Sequence, residues 1–158
     1  MKMTERWENE SLEHLLRRRM DYLRKRMEGT VGEMLEIFLT DVDEANNIFT
    51  FEAKPEQWMI NFHGTIHGGI CATYVDQAMG LMALCLKPGP GICPTVDMNV
   101  KYHRPMVPTD KILMKVRLVS QTKRLIYLSC EAFHVSAPDK VCVSATATYF
   151  YKPEGTHL

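Results

Sequence analysis

The run GGICATYVDQAMGLMALCL, from Gly68 to Leu86, carries two features able to do chemistry in an otherwise apolar stretch. Asp76 is the only charge between Ile70 and Leu86. A carboxylate among apolar residues has to be compensated or used, because desolvating a charge is costly. Gly68 and Gly69 stand at the head of the same run. Glycine lets a ligand approach the backbone closely, and the first amides of a helix have no acceptor in a preceding turn. Those N–H groups hold the positive end of the helix dipole, so an oxyanion can be stabilised there. Asp76 follows Gly69 by seven residues, two turns along one helical face. Such a spacing separates carboxylate from donors within one chain. If the helix meets its twin in a second subunit, the amides of one chain can face Asp76 of the other.

The elements that must position these groups follow from periodicity. Leu12, Leu15, Leu16, Met20, Leu23 and Met27 recur at three- and four-residue steps, which predicts an amphipathic helix within residues 1–30, ended by Gly29. Its arginines and lysines alternate with Glu10, Glu13, Asp21 and Glu28, as on a solvated face. Two strands are expected over 33–42 and 46–54, separated by the turn-forming DEANN. The helix that begins near Gly68 is stopped by the KPGPG run at 87–91 and is about 27 Å long at 1.5 Å per residue. Beyond it, TVDMNVKYHRP sets Val96, Met98, Val100 and Tyr102 on one strand face and Thr95, Asp97, Asn99 and Lys101 on the other. DKILMKVRLVSQ alternates in the same way, and the stretch from Arg124 to Tyr151 reads as two strands folded at SAPDK. Helix, two strands, long helix and three or four antiparallel strands make an α+β domain, a sheet packed on a helix. A helix apolar on every side needs cover on every side, so the sheet curves around it, a second subunit completes the burial, or both.

Composition narrows the field. In 158 residues, nineteen basic and nineteen acidic side chains leave no net charge, which gives no support to a nucleic-acid or membrane-surface partner. The N-terminal MKMTERWENE has no apolar core of a secretory signal, and the long oily run is broken by Asp76 and Gln77. Five cysteines without a C-x-x-C pair fit reduced thiols in a cytoplasmic protein. His63 and His67 form H-x-x-x-H without the glutamate of H-E-x-x-H and precede the helix, so no metal is expected. No G-x-S-x-G occurs, which removes the α/β-hydrolase route. Cys71 and Cys85 lie on the apolar helix, where a thiol behaves as a small hydrophobe.

The pattern N-x-x-G-x-x-H-G-G from Asn61 to Gly69, followed by Asp76, resembles the signature of the hotdog-fold acyl-CoA thioesterases of the 4-hydroxybenzoyl-CoA and phenylacetate-pathway superfamily. TVDMNVKYHRP and SQTKRLIYLSCEAF extend the similarity over most of the chain beyond residue 30. The resemblance implies a hotdog domain over 31–158, its curved antiparallel sheet wrapped around the long helix, with an added N-terminal helix. It further implies homodimers with a continuous sheet, often paired into homotetramers, that hydrolyse acyl-CoA to a carboxylic acid and coenzyme A without a cofactor. In that scheme Asp76 is the catalytic carboxylate, acting as general base on water or as nucleophile through a mixed anhydride. The backbone N–H of Gly68, with that of Gly69, donates to the thioester carbonyl. His67 and Asn61 orient the thioester and the attacking water, Thr95 positions water near the carboxylate, and Lys123 with Arg124 receives the coenzyme A phosphates.

Each of these residues also has a plainer reading: Gly-Gly as a turn, His67 as a cap, Asn61 as a turn residue, Asp76 as a structural carboxylate, and Lys123 and Arg124 as solvated charges. Two other functions suit the same scaffold. One is an acyl-thioester dehydratase or hydratase using His67 and Asp76, although HGG stands where dehydratases of this fold carry H-x-x-x-P-x-x-P-G. The other is a non-catalytic acyl-CoA binder, since a fold does not fix a function.

Overall fold

The computed structural model describes residues 12–87 and 90–155. Glu10 and the other residues at the start of the chain, and Pro88 and Gly89 of the stop signal, lie outside the described residues. The elements run α1 (Leu12–Arg26), α2 (Val31–Met34), β1 (Phe38–Asp43), β2 (Ile48–Ala53), a 3-10 turn (Gln57–Met59), α3 (Gly68–Cys85), β3 (Gly91–Ile92), β4 (Thr95–Tyr102), β5 (Ile112–Gln121), β6 (Leu125–His134), β7 (Val143–Phe150) and β8 (Lys152–Pro153). Residues expected to begin the first strand form α2 instead, and β1 starts only after Glu36 adopts a φ of 45°. Leu35 and Ile37 are buried on the way into it.

Six strands form one antiparallel sheet in the order β1-β2-β5-β6-β7-β4. Strand alternation builds its inner face from Phe49 and Phe51, Ile112, Met114 and Val116, Ile126, Leu128 and Cys130, and Ala145 and Ala147, all buried. α3 lies against β4, β5, β6 and β7. This is the hotdog arrangement that the sequence resemblance implies. β4 ends the sheet, so one of its edges has no neighbouring strand among the described residues. A two-stranded ribbon, β3 with β8, ties the segment after α3 to the C-terminal end of the described chain. A side chain at Gly91 would come within 2.6 Å of the Lys152 carbonyl, so the ribbon requires glycine there.

Among the described residues, α3 is not covered all round. Cys71, Tyr74, Val75, Ala78, Met79, Leu81, Met82, Ala83 and Cys85 are buried, whereas Thr73, Asp76, Gln77, Gly80 and Leu84 are half-buried. The latter set recurs at three- and four-residue steps and forms one stripe. α1 lies near this stripe, anchored by the buried Leu16 and Met20, each worth about 1.5–3 kcal/mol of apolar burial. Leu23, and Met27 just past the helix end, pack on the core beside them, so these four residues of the expected stripe face inward; the side chains of Leu12 and Leu15 lie outside the described residues.

Candidate active site

Asp76 projects from the third turn of α3 toward the sheet edge, where two hydroxyls meet it. Thr95 Oγ1 donates to Asp76 Oδ1 at 2.8 Å. The Tyr149 hydroxyl lies 2.8 Å from the same oxygen and 2.9 Å from the Asp76 carbonyl. Oδ1 is thereby fixed by two donors, while Oδ2 has no hydrogen-bond partner among the described residues. Burial pushes the Tyr149 phenol far up from its ordinary range, and the neighbouring Asp76 charge adds to the shift. Tyr149 is therefore a neutral donor under any physiological condition.

Strict alternation would turn Thr95 away from the apolar face of β4. A bulge between Thr95 and Asp97 corrects this: Thr95 pairs with Tyr149, whereas Asp97 pairs with Thr148. The extra residue, Val96, switches the face on which the strand begins, so Thr95 joins Met98 and Val100 on the side of α3. Bulges of this kind re-aim side chains at functional sites.

The other motif residues assemble at the start of α3. His67 is the N-cap, and its Nδ1 accepts from the Gly69 N–H at 3.0 Å. Of the two donors expected from Gly68 and Gly69, the second is therefore already satisfied. The Gly68 N–H has no acceptor among the described residues. An Nδ1 that accepts leaves Nε2 as the ring nitrogen that can donate. The Gly68 carbonyl accepts from the Tyr102 hydroxyl at 2.9 Å, which pins the helix start to the end of β4. Asn61 organises its own turn: its Oδ1 accepts from the His63 N–H at 2.9 Å, its Nδ2 donates to Thr65 Oγ1 at 3.0 Å, and its backbone N–H donates to the Thr65 carbonyl at 2.8 Å. This turn presents Phe62 to solvent, 92% exposed.

Among the described contacts, nothing joins Asp76 to Asn61, His67 or Gly68. One chain thus offers two half-sites, a carboxylate in mid-helix and an amide donor at the helix start. Lys123 and Arg124 belong to neither. They occupy the exposed β5–β6 hairpin, with the Arg124 guanidinium 5.8 Å from the Phe150 ring centre. His63 stacks near Phe62, with ring centres 3.9 Å apart.

A cavity of about 950 Å³ opens beside Asp76, between α1, the exposed stripe of α3 and the segment 90–95. Thr95 and Tyr149 line its carboxylate end, Leu23, Met27, Gly80 and Leu84 its apolar walls, and three arginines of α1, Arg18, Arg19 and Arg26, also border it. Cys93 lies on the wall, where burial raises its thiol to about 11; Cys71 and Cys85, raised by burial to about 11 and about 12, are likewise neutral. No cysteine here is poised as a thiolate nucleophile. Tyr149 and the α1 wall were not singled out from sequence. The available signal was a tyrosine on an inward strand position among alanines, because a buried phenol needs a partner for its hydroxyl.

Residues 63–141 match the model of the thioesterase superfamily. Acyl-coenzyme A thioesterase 13 of Mus musculus is 33% identical over 94 residues, 59% of this chain and 66% of that protein, so the match spans just under two thirds of the relative. Among solved structures, the E. coli PaaI protein from the phenylacetic acid degradation operon superposes with a TM-score of 0.74 at 15% identity, over 90% of this chain and 96% of that one. The smu.793 protein of Streptococcus mutans UA159, solved bound to acetyl CoA, superposes with a TM-score of 0.64 at 17% identity, over 75% of this chain and 90% of that one.

Proposed function

Because the chain belongs to the thioesterase superfamily, we propose that it hydrolyses acyl-CoA, releasing a carboxylic acid and coenzyme A. The observation that carries this reading is the Asp76 carboxylate, clamped through Oδ1 by Thr95 and Tyr149 with Oδ2 left open beside a cavity. Whether Asp76 takes a proton from water or attacks the carbonyl to form a mixed anhydride, Oδ2 is the oxygen placed to do it. In either route the C–S bond breaks after negative charge has built up on the thioester oxygen, and the Gly68 N–H is the donor suited to receive it.

The two half-sites of one chain fit a homodimer in which each Asp76 faces the helix start of the partner. The open edge of β4 is the surface on which two sheets can join into one, and pairing of dimers would give a homotetramer. Asn61 supports such a site by fixing the turn that enters α3, and His67 by capping the helix whose first amide works. Lys123 and Arg124 are proposed to meet the phosphates of coenzyme A, and no further cofactor enters the reaction. Five cysteines free of disulfides suit a cytoplasmic setting. No helix among the described residues is long and apolar enough to cross a membrane. The capping role of His67 weighs against a dehydratase, which needs that ring as an acid or base.

A thiol-trapping assay on purified protein, with the acyl product identified, tests the reading. Equimolar free acid and coenzyme A are expected. Binding of acyl-CoA without thiol release would make the protein a binder, and a change in unsaturation of an intact thioester would make it a hydratase.

A further inference from the structure

Gly80 sits in the middle of α3, where glycine is unfavourable for a helix. Nothing in the fold requires it. Its φ is not positive, and a side-chain carbon there would meet only Tyr149 Cε1, at an ordinary 3.6 Å. It lies one turn beyond Asp76 on the same half-buried stripe, and Leu84 lies one turn further. All three border the cavity, and α1 closes the opposite side with Leu23 and Met27. What the missing side chain provides is room.

We infer that Gly80 is a specificity-determining residue. It keeps open an acyl channel along α3, roofed by α1, for thioesters of extended aliphatic acids rather than acetyl-sized ones. From Asp76 to Leu84 the channel follows about 12 Å of helix, the reach of roughly eight to ten carbons. With the thioester carbonyl at Oδ2, the first carbons pass Tyr149 and Gly80, and the rest lie against Leu23, Met27 and Leu84. Each methylene transferred from water to such walls strengthens binding about fourfold. A branched side chain at position 80 would fill the channel just past the carbonyl, leaving space for the shortest acyl groups only.

This inference rests on the proposed site at Asp76, but it can be read without turnover. Calorimetry with two non-hydrolysable thioethers, ethyl-CoA and decyl-CoA, compares the protein with its Gly80→Leu variant, folding being checked by circular dichroism. The unaltered protein should bind decyl-CoA at least about tenfold more tightly than ethyl-CoA, and Gly80→Leu should abolish that difference while keeping ethyl-CoA affinity. Leu23→Trp, on the opposite wall, should narrow the preference in the same direction and serves if Gly80→Leu does not fold. Equal affinity for the two thioethers in the unaltered protein, or a preference that survives in the folded variants, overturns the channel. Tight decyl-CoA binding without hydrolysis of decanoyl-CoA would instead contradict the activity and leave the channel standing.

Discussion

Asp76 answers the cost of its own burial. Two hydroxyls converge on Oδ1, so the carboxylate is held rather than stranded, and Oδ2 is the oxygen to which the proposed mechanism gives the reaction. Asp76→Asn keeps the shape and removes the charge. Turnover of acyl-CoA is expected to fall by about 10²–10⁴, the usual contribution of a general base, with an unchanged circular dichroism spectrum. Near-normal turnover in the folded variant would remove Asp76 from the chemistry. In the proposed mechanism Tyr149 and Thr95 act through that carboxylate as positioning residues. A hydrogen bond to a charged group is worth about 1.5–3 kcal/mol, so Tyr149→Phe and Thr95→Val should each lower kcat by roughly ten- to a hundredfold with a smaller change in KM. In the Asp76→Asn background the same changes should add little, because the interaction they remove is already gone. Independent, multiplying losses would mean that both residues serve the fold only.

At the scale of elements, the two ends of the site depend on how α3 begins and how β4 begins. The helix start carries one usable donor, Gly68, since His67 caps Gly69. A side chain at Gly68 would rest at 3.6 Å from the Tyr102 ring, an ordinary contact, so Gly68→Ala should fold. Its methyl would nevertheless crowd a thioester at the donor, and a displacement of about 1 Å can cost on the order of a hundredfold in rate. Steady-state kinetics should show that loss in kcat, with free coenzyme A binding almost unchanged; a normal rate would place the carbonyl elsewhere. Much of this arrangement was legible in the sequence. The lone Asp76, the glycines before it and the alternating strands were enough to place a long helix on an antiparallel sheet, and the Asn61-to-Asp76 motif to name the candidate residues at its start and middle. The bulge at Val96 was not legible, because alternation alone assigns Thr95 to the wrong face and only pairing with Tyr149 across the strands corrects it. Tyr149 was hidden for the same reason: its partner lies 73 residues earlier in the chain. The short helix α2 replaced an expected strand start because Glu36 takes a left-handed turn that propensity does not foresee.

At the scale of the whole molecule, the surface features bear on the proposed homodimer. Among the described residues β4 has an open edge, and Val96, Tyr102 and Phe62 expose 62%, 55% and 92% of their surface. The open strand edge and these exposed side chains suit the proposed interface. The amphipathic periodicity of α1 and the apolar run of α3 could both be read from sequence, yet the cavity between them could not, since it arises where the two helices fail to touch. The proposal that one subunit's Asp76 works with the partner's Gly68 N–H is the central claim, and one experiment addresses it directly. Asp76→Asn and Gly68→Ala chains, each nearly inactive alone, are mixed in equal amounts, unfolded, refolded together and assayed for acyl-CoA hydrolysis. Random pairing in a symmetric dimer makes half the dimers mixed, each with one site free of both changes, so activity should return to about a quarter of the unaltered level. Mixed dimers that form but remain as inactive as their parents would show that each site is built from one chain.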